Sequence, residues 1–310
     1  MKQNLRKKAL VPAIAMVLAS VIALSGVTYA WFTTGTTASV TGMDVNVKTA
    51  NGIQVSLDAS SWKSVITATD IKNAITGATA YANRVIQYPE GEIAPVSSAG
   101  NVVDGKMQMF GGEYNNAGNL RGWELADKNG TTECDYIAFD LFFKSTSEQP
   151  LTLKVGDDAS FVKETLALGG VANTGVEKAV RVAFVPMGSV NGNDAAGARA
   201  LKMASGKAVI WEPNSGTRAD GVDAETGKLA YSGFTKAFED VAESALGAEV
   251  EAVTSVDGTQ EDFIQLANGI TKIRVYIWLE GQDVDCINNI SSGDFTVNLG
   301  FTVPEPVNEG

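Results

Sequence analysis

The chain has 310 residues, with 24 Lys and Arg against 36 Asp and Glu, so its formal net charge is −12. It contains no histidine, which excludes imidazole bases, most zinc sites and the Ser-His-Asp constellation. The negative charge disfavours nucleic acid and anionic membranes as partners, because like charges repel. It suits an extracellular protein, soluble or assembling, that could recruit divalent cations.

The first thirty residues have the layout of a secretory signal peptide. A basic start is followed by an uncharged apolar run that ends at Val27, and Thr28 and Ala30 place small side chains before a cut between Ala30 and Trp31. Cleavage by a signal peptidase would leave a secreted chain with 20 cationic and 36 acidic groups, a net charge of −16. Its contact with the membrane would then be limited to the leader before cleavage. A retained membrane anchor and a pilin-like leader are the alternatives.

The mature chain is predicted to begin with a flexible, threonine-rich segment over residues 31–41. A half-buried strand is predicted over Met43–Val47, because apolar and polar residues alternate there. The same alternation returns over Ile53–Leu57, directly after Asn51-Gly52, which is a strong hairpin signal. The first two strands are therefore predicted to form a hairpin.

Residues 60–132 are predicted to be a long insertion. Thr69-Asp70 could cap a short helix that runs to Gly77, and one strand is predicted over Lys106–Phe110. The rest of the insertion is rich in Gly, Asn and Pro, which is typical of loops.

The second half of the chain alternates apolar and polar residues in several segments, as strands do. Strands are predicted over Tyr136–Lys144, Leu151–Val155, Val180–Phe184, Ala208–Trp211, Lys272–Leu279 and Phe295–Val303. Helices are predicted over Thr235–Leu246 and Gln260–Ala267, and residues 304–310 as a loose tail. The predicted fold is mainly β: one domain over residues 42–303, an antiparallel jelly-roll-like β-sandwich with the early insertion and one or two short helices.

Cys134 and Cys286 are the only cysteines. An even count in an exported chain suggests a disulfide, and a buried pair of thiols is the alternative. Cys134 precedes one predicted strand and Cys286 follows another. If these strands pair antiparallel, the two sulfurs could meet.

The search for catalytic chemistry finds little, and the chain is predicted not to be an enzyme. Ser60 and Lys63 match a Ser-x-x-Lys pattern, but the companion motifs of that pattern are absent. Glu280, Asp283 and Asp285 lie close together after a predicted strand, so they are a candidate Ca²⁺ site. A solvated acidic turn is the simpler interpretation, and no other cofactor is predicted.

Four of the five tryptophans are spread along the chain after the predicted leader, and two interpretations of their role are possible. Each is predicted to anchor the core or its loops, whereas exposed indoles could bind carbohydrate. They are Trp62, Trp123, Trp211 and Trp278.

Four stretches of the sequence match a known pattern. They are the junction Tyr29-Ala30-Trp31-Phe32-Thr33, the segment Cys134–Lys144, and the closing segments Arg274–Gly281 and Phe295–Phe301. The junction resembles the cleavage seam, and the other three stretches resemble strands, of the TasA/camelysin family of biofilm-matrix proteins. The resemblance implies a secreted jelly-roll-like subunit that assembles into fibres. In such fibres the N-terminal segment of one subunit completes the sheet of the next.

Carried over to this chain, the resemblance makes residues 31–41 the donor segment, with Trp31, Phe32 and Val40 as the side chains that fill pockets. The expected function is therefore a structural subunit of a cell-surface or biofilm-matrix fibre, which associates with copies of itself. The alternative is a monomeric surface adhesin or glycan-binding module.

Overall fold

A computed structural model describes most of the chain after the leader. The described residues are 37–47, 53–77, 80–114, 120–128, 130–154, 160–165, 173–213, 252–253, 260–281, 283, 286 and 290–303. The predicted signal peptide, the predicted helix Thr235–Leu246 and the predicted tail lie outside them.

The described chain is mainly β, as predicted, and its strands form two large sheets. The first sheet has the order β17-β11-β19-β1-β3, with β12 also paired to β19 and β5 also paired to β1. Its strands are β1 (Ala38–Val47), β3 (Val65–Thr67), β5 (Glu92–Ile93), β11 (Gln149–Lys154), β12 (Phe161–Thr165), β17 (Gln260–Leu266) and β19 (Gly293–Thr302).

The second sheet has the order β16-β15-β13-β18-β10-β2, and β4 also pairs with β10. Its strands are β2 (Gln54–Ser56), β4 (Ile86–Gln87), β10 (Ile137–Ser145), β13 (Val180–Asn191), β15 (Val209–Trp211), β16 (Ala252–Val253) and β18 (Gly269–Leu279). Strands β10 and β18 pair antiparallel, with Ile137 opposite Ile277, which is the condition on which the proposed disulfide depended.

The main core lies between the two sheets. Alternate residues of β10 and β18 enter it, among them Phe139, Leu141, Val275 and Ile277, and all four are fully buried. Phe143 meets Phe301 of the first sheet edge to face, with their ring centroids 5.2 Å apart. These contacts produce the sandwich, because each sheet buries its apolar face against the other.

The insertion forms a third layer rather than a long loop. It carries α1 (Ala68–Gly77), and after β4 and β5 it adds β6 (Asn101–Val103), β7 (Lys106–Met107), β8 (Met109–Tyr114) and β9 (Leu120–Leu125). Strand β14 (Ser205–Lys207) pairs with β6, and β8 forms a hairpin with β9. Buried side chains of this layer, such as Met107 and Phe110, cover Tyr276 and Trp278 on the outer face of the second sheet. The prediction of a long loop was wrong because short strands rich in Gly and Asn have the same composition as loops.

Two local predictions are wrong. Strands β1 and β2 do not pair as a hairpin, since β1 belongs to the first sheet and β2 pairs with β10 of the second. The segment predicted as helix Gln260–Ala267 is strand β17, which pairs with β11. Ile264 and Leu266, two residues apart, both pack on the main core, so the spacing that operates there is that of a strand.

Two short helices complete the described fold, α2 (Val176–Ala179) and α3 (Ala195–Ala200). Helix α1 begins at Ala68, before the predicted cap Thr69-Asp70, so its cap is Thr67. The Asp70 backbone N–H donates to Thr67 Oγ1 at 3.2 Å, and the Thr67 backbone N–H donates to the Asp70 carboxylate at 3.0 Å. Within the described residues, no helix is long and apolar enough to cross a membrane.

Candidate functional site

Strand β1 contains the end of the predicted donor segment. It lies parallel to β19, the last strand, over nine matched residue pairs from Ala38 with Gly293 to Val47 with Phe301. The register shifts between Val40 and Gly42, so Thr41 forms a bulge that divides the strand in two. The bulge falls where the sequence separates the predicted donor segment from the folded domain.

The first half of β1 fills a slot between two other strands. Ala38 and Ser39 pair with β19 on one side and, antiparallel, with Ile93 and Glu92 of β5 on the other. The Ala38 side chain is fully buried, and Val40 is partly buried against the main core. The slot therefore offers backbone hydrogen bonds on both sides and an apolar floor.

The second half of β1 is anchored more firmly. Met43, Val45 and Val47 are buried and alternate along the strand, and β3 pairs with residues 44–46. The Asn46 side chain donates to the Asn298 side chain of β19 over 2.7 Å. This half belongs to the core of its own subunit.

The structure places only part of the predicted assembly set. Val40 packs against the core of its own subunit beside this slot, whereas the prediction has it fill a pocket of a neighbouring subunit. Trp31 and Phe32, and the cleavage site between Ala30 and Trp31, lie outside the described residues. Residues 38–41 of the predicted flexible segment belong to β1.

The predicted Ca²⁺ ligands do not converge. Glu280 is buried and accepts hydrogen bonds from Ser97 Oγ at 2.6 Å and from Trp278 Nε1 at 2.9 Å. Asp283 is bound instead to Arg181, which also contacts Glu212 at 2.9 Å. Asp285 lies outside the described residues, and among those that are described no group of acidic, Cys or His side chains is arranged to hold a metal.

The predicted disulfide is not formed, and both Cys134 and Cys286 are thiols in the structure. After β18 the chain turns towards β13, because the backbone N–H of Glu280 donates to the Ala179 carbonyl at 2.8 Å. Cys286 is thereby carried into the main core, whereas Cys134 lies beside β10, the other neighbour of β18. Burial and the nearby Asp135 carboxylate raise the pKa of the Cys134 thiol to about 12, so it resists oxidation.

The tryptophans divide into two groups. Trp211 and Trp278 are fully buried, as predicted, and Trp62 is half-buried with the Lys144 ammonium 5.5 Å from its ring centroid. Trp123 is 45% exposed on the β8–β9 hairpin, so the prediction that it anchors the core is wrong. Its ring lies against Gly111, where a Cβ would come within 2.7 Å of the indole.

The two residues of the Ser-x-x-Lys pattern bind other partners rather than each other. Ser60 Oγ accepts a hydrogen bond from the Arg199 guanidinium. The Lys63 ammonium lies 2.5 Å from the Asp70 carboxylate, in a surface ion pair at the start of α1. Both residues thus have local structural roles.

Sequence reasoning missed a buried charged cluster on the outer face of the second sheet. Lys272 and Arg274 of β18 and Asp140 of β10 are at most 2% exposed. Asp140 Oδ1 accepts from Arg274 Nε at 2.7 Å, and Asp140 Oδ2 lies 3.2 Å from Lys272 Nζ. The signal was present in the sequence, since Lys272 and Arg274 alternate with the core residues of a central strand.

The third layer supplies further partners of this cluster. Arg274 donates to the carbonyl oxygens of Gly105 at 2.7 Å and of Asn83 at 2.5 Å, and the Tyr81 hydroxyl donates to Asp140 at 2.7 Å. A buried charge is costly unless hydrogen bonds surround it. The cluster therefore fixes where the insertion lies on the sheet.

A second buried group lies nearby. The hydroxyls of Tyr136 and Tyr276 both donate to the Asp127 carboxylate at 2.9 Å. Burial raises the pKa of Asp127 above its ordinary value.

In comparisons with known proteins, no family model, no curated protein and no solved structure matches the chain. Functional inference therefore depends on the geometry and on the sequence.

Proposed function

We propose that the mature chain is a secreted structural subunit of a cell-surface or biofilm-matrix fibre. In this proposal the segment that ends at Thr41 leaves its own slot and fills the slot of a neighbouring subunit. The observation that carries the proposal is the bulge at Thr41, which separates a slot-filling half of β1 from a core half.

The geometry implies that this exchange costs little free energy. The pairings with β5 and β19 that the donor breaks in its own subunit are remade with identical partners in the next. The second half of β1 keeps Met43, Val45 and Val47 in the original core, so the subunit stays folded during the exchange.

The leader supports an extracellular location, where such a fibre would form. The resemblance of the Tyr29–Thr33 junction to the TasA/camelysin seam supports the same class of protein. Cleavage after Ala30 would release the donor segment only outside the cell, so assembly would follow export.

A cysteine pair across the slot tests the exchange. Ser39 lies opposite Glu92 in the antiparallel pairing with β5, and side chains opposite each other in such a pair are about 5 Å apart at Cβ. The double variant Ser39→Cys/Glu92→Cys should close each slot on its own strand under oxidising conditions. We expect it to remain monomeric until a reductant is added, as judged by negative-stain electron microscopy.

The matched control is Asp44→Cys/Thr67→Cys, a pair in the half of β1 after the bulge. It should form filaments whether oxidised or reduced, because this half does not move. Filaments from the oxidised slot variant would contradict the exchange. Absence of filaments from the unmodified mature chain at high concentration would contradict the fibre itself.

The alternative, a glycan-binding module, has one observation in its favour, the exposed indole of Trp123. Carbohydrate rings stack on exposed aromatic faces. Saturable binding on a glycan array that Trp123→Ala abolishes, from a chain that forms no filaments, would favour this function over the fibre.

A further inference from the structure

The buried cluster places a lysine amine, an asparagine amide and a carboxylate in contact. Lys272 Nζ lies 3.3 Å from Asn83 Oδ1 and 3.2 Å from Asp140 Oδ2. The same amine reaches the carbonyl oxygens of Arg199 at 3.3 Å and Leu201 at 3.2 Å. We propose that Lys272 and Asn83 form an intramolecular isopeptide bond, with Asp140 as the proton carrier.

The surroundings of the amine favour its neutral, nucleophilic form. The Lys272 side chain is fully buried, and the rings of Tyr81 and Phe142 lie with their centroids 5.0 and 5.6 Å from Nζ. Burial, together with the nearby Arg274 charge, lowers the pKa of Lys272, against the opposing effect of Asp140. A desolvated lysine with a depressed pKa is an activated nucleophile.

The amide is held in position for attack. Asn83 Nδ2 donates to the carbonyl oxygens of Ala200 at 3.2 Å and Leu201 at 2.9 Å. Asn83 Oδ1 in turn accepts a hydrogen bond from Lys272 Nζ at 3.3 Å, so the amide and the amine are held side by side. Fixed geometry of this kind converts a slow encounter between two groups into an intramolecular reaction.

The chemistry balances without an oxidant or a cofactor. Asp140 Oδ2 takes one proton from the Lys272 ammonium, and the freed amine attacks Cγ of Asn83. A new Nζ–Cγ bond forms and the Cγ–Nδ2 bond breaks, while Asp140 passes its proton to Nδ2. Ammonia departs and leaves as ammonium once it takes up the second proton lost by Nζ.

The charge balance around Lys272 also favours formation of the isopeptide bond. Asp140 is shared between the cationic groups of Lys272 and Arg274, so its direct partners carry one more positive charge than it can neutralise. The next carboxylate, Asp127, accepts hydrogen bonds from tyrosine hydroxyls and acts on the Arg274 charge through space. Conversion of the ammonium to a neutral amide removes the surplus and leaves Arg274 paired with Asp140.

The bond would join the loop before β4 to the central strand β18. It would therefore tie the third layer to the second sheet covalently. This inference does not depend on the proposed function, since it concerns the folded chain whether or not it assembles.

Mass spectrometry of the folded mature chain tests the inference without any substitution. The chain is kept folded at neutral pH until its mass is constant. We expect an intact mass lower than that of the sequence by one ammonia. We also expect a branched tryptic peptide that contains both Asn83 and Lys272, because trypsin does not cleave after an acylated lysine.

Two variants serve as controls, Asn83→Ala and Lys272→Met, each checked for a native circular dichroism spectrum. Both should keep the full sequence mass at these peptides. Fragmentation of the branched peptide is essential, because an Asn-Gly sequence elsewhere can also lose ammonia by cyclising. A folded wild-type chain in which Asn83 and Lys272 appear only in separate, unmodified peptides would overturn the proposal and leave a buried ion pair.

Discussion

Strands β1 and β18 have similar lengths but opposite characters. All eleven residues of β18 are buried, and long partners flank it on both sides, β10 and β13. Strand β1 is paired along its length only with β19, whereas β5 and β3 cover short parts of its other edge. Thus β18 organises the fold and holds charges that require a third layer, while β1 contains the half that the fibre proposal exchanges between subunits.

The largest predicted effect comes from the charged face of β18. Arg274→Met leaves Asp140 without its closest cation, and loss of one partner from a buried pair costs about 3–5 kcal/mol. Equilibrium unfolding in urea should show this loss. The matched surface control is Lys63→Met, whose partner Asp70 is exposed enough that the cost should stay below about 1 kcal/mol. Equal effects at the two sites would contradict the contrast between them.

Within β1, truncation of a side chain after the bulge should reduce the free energy of unfolding more than truncation before it. Met43 is 2% exposed in the main core, and Met→Ala at such a site costs about 2–5 kcal/mol. The same urea titration measures Met43→Ala. The proposal also requires that this variant, where still folded, assemble with unchanged subunit contacts.

Substitutions in the half before the bulge should change the free energy of unfolding little but should slow or weaken filament assembly. Val40→Ala removes two carbon atoms from a partly buried site, a loss of about 1 kcal/mol at most. Its filaments should nevertheless form more slowly or dissociate more readily, as followed by light scattering. A variant with normal assembly kinetics, or one as unstable as Met43→Ala, would remove the distinction between the two halves.

The smallest effect concerns the pH dependence of the layer over β18. Burial raises the pKa of Asp127 in the folded state above its ordinary value of 3.8. Its contribution to stability is therefore fully present below that value and is lost as the pH rises through the folded pKa. We expect the stability of wild type, measured relative to Asp127→Asn, to fall over this window. A difference that stays constant or rises with pH would show that the carboxyl is not destabilised by burial.

Periodicity was sufficient for the long strands and insufficient for their partners. The alternation in β10, β18 and β19 predicted strands that the structure confirms within a few residues. The same local signal could not show that β1 crosses to a different sheet from β2, because pairing depends on residues about 250 positions away. A strong Asn-Gly turn signal therefore produced a hairpin that does not exist.

The charged residues show the second limit of sequence reasoning. A lysine and an arginine that alternate with core residues normally indicate a solvent-facing side of a strand. In β18 that side is covered by Tyr81, Asn83 and Gly105 of the insertion, which composition alone identifies as loop. The Ca²⁺ site predicted in the acidic turn after β18 was wrong for the same reason, because Glu280 and Asp283 bind partners that are distant in sequence.

The most direct test of the fibre proposal is a mixture of two single variants, Ser39→Cys and Glu92→Cys, assembled together and then oxidised. If the first half of β1 fills the slot of a neighbour, the mixture should give a covalent dimer that joins Cys at position 39 to Cys at position 92, and neither variant alone should give it. Filaments that form from the mixture without this cross-link would contradict strand exchange as the basis of assembly.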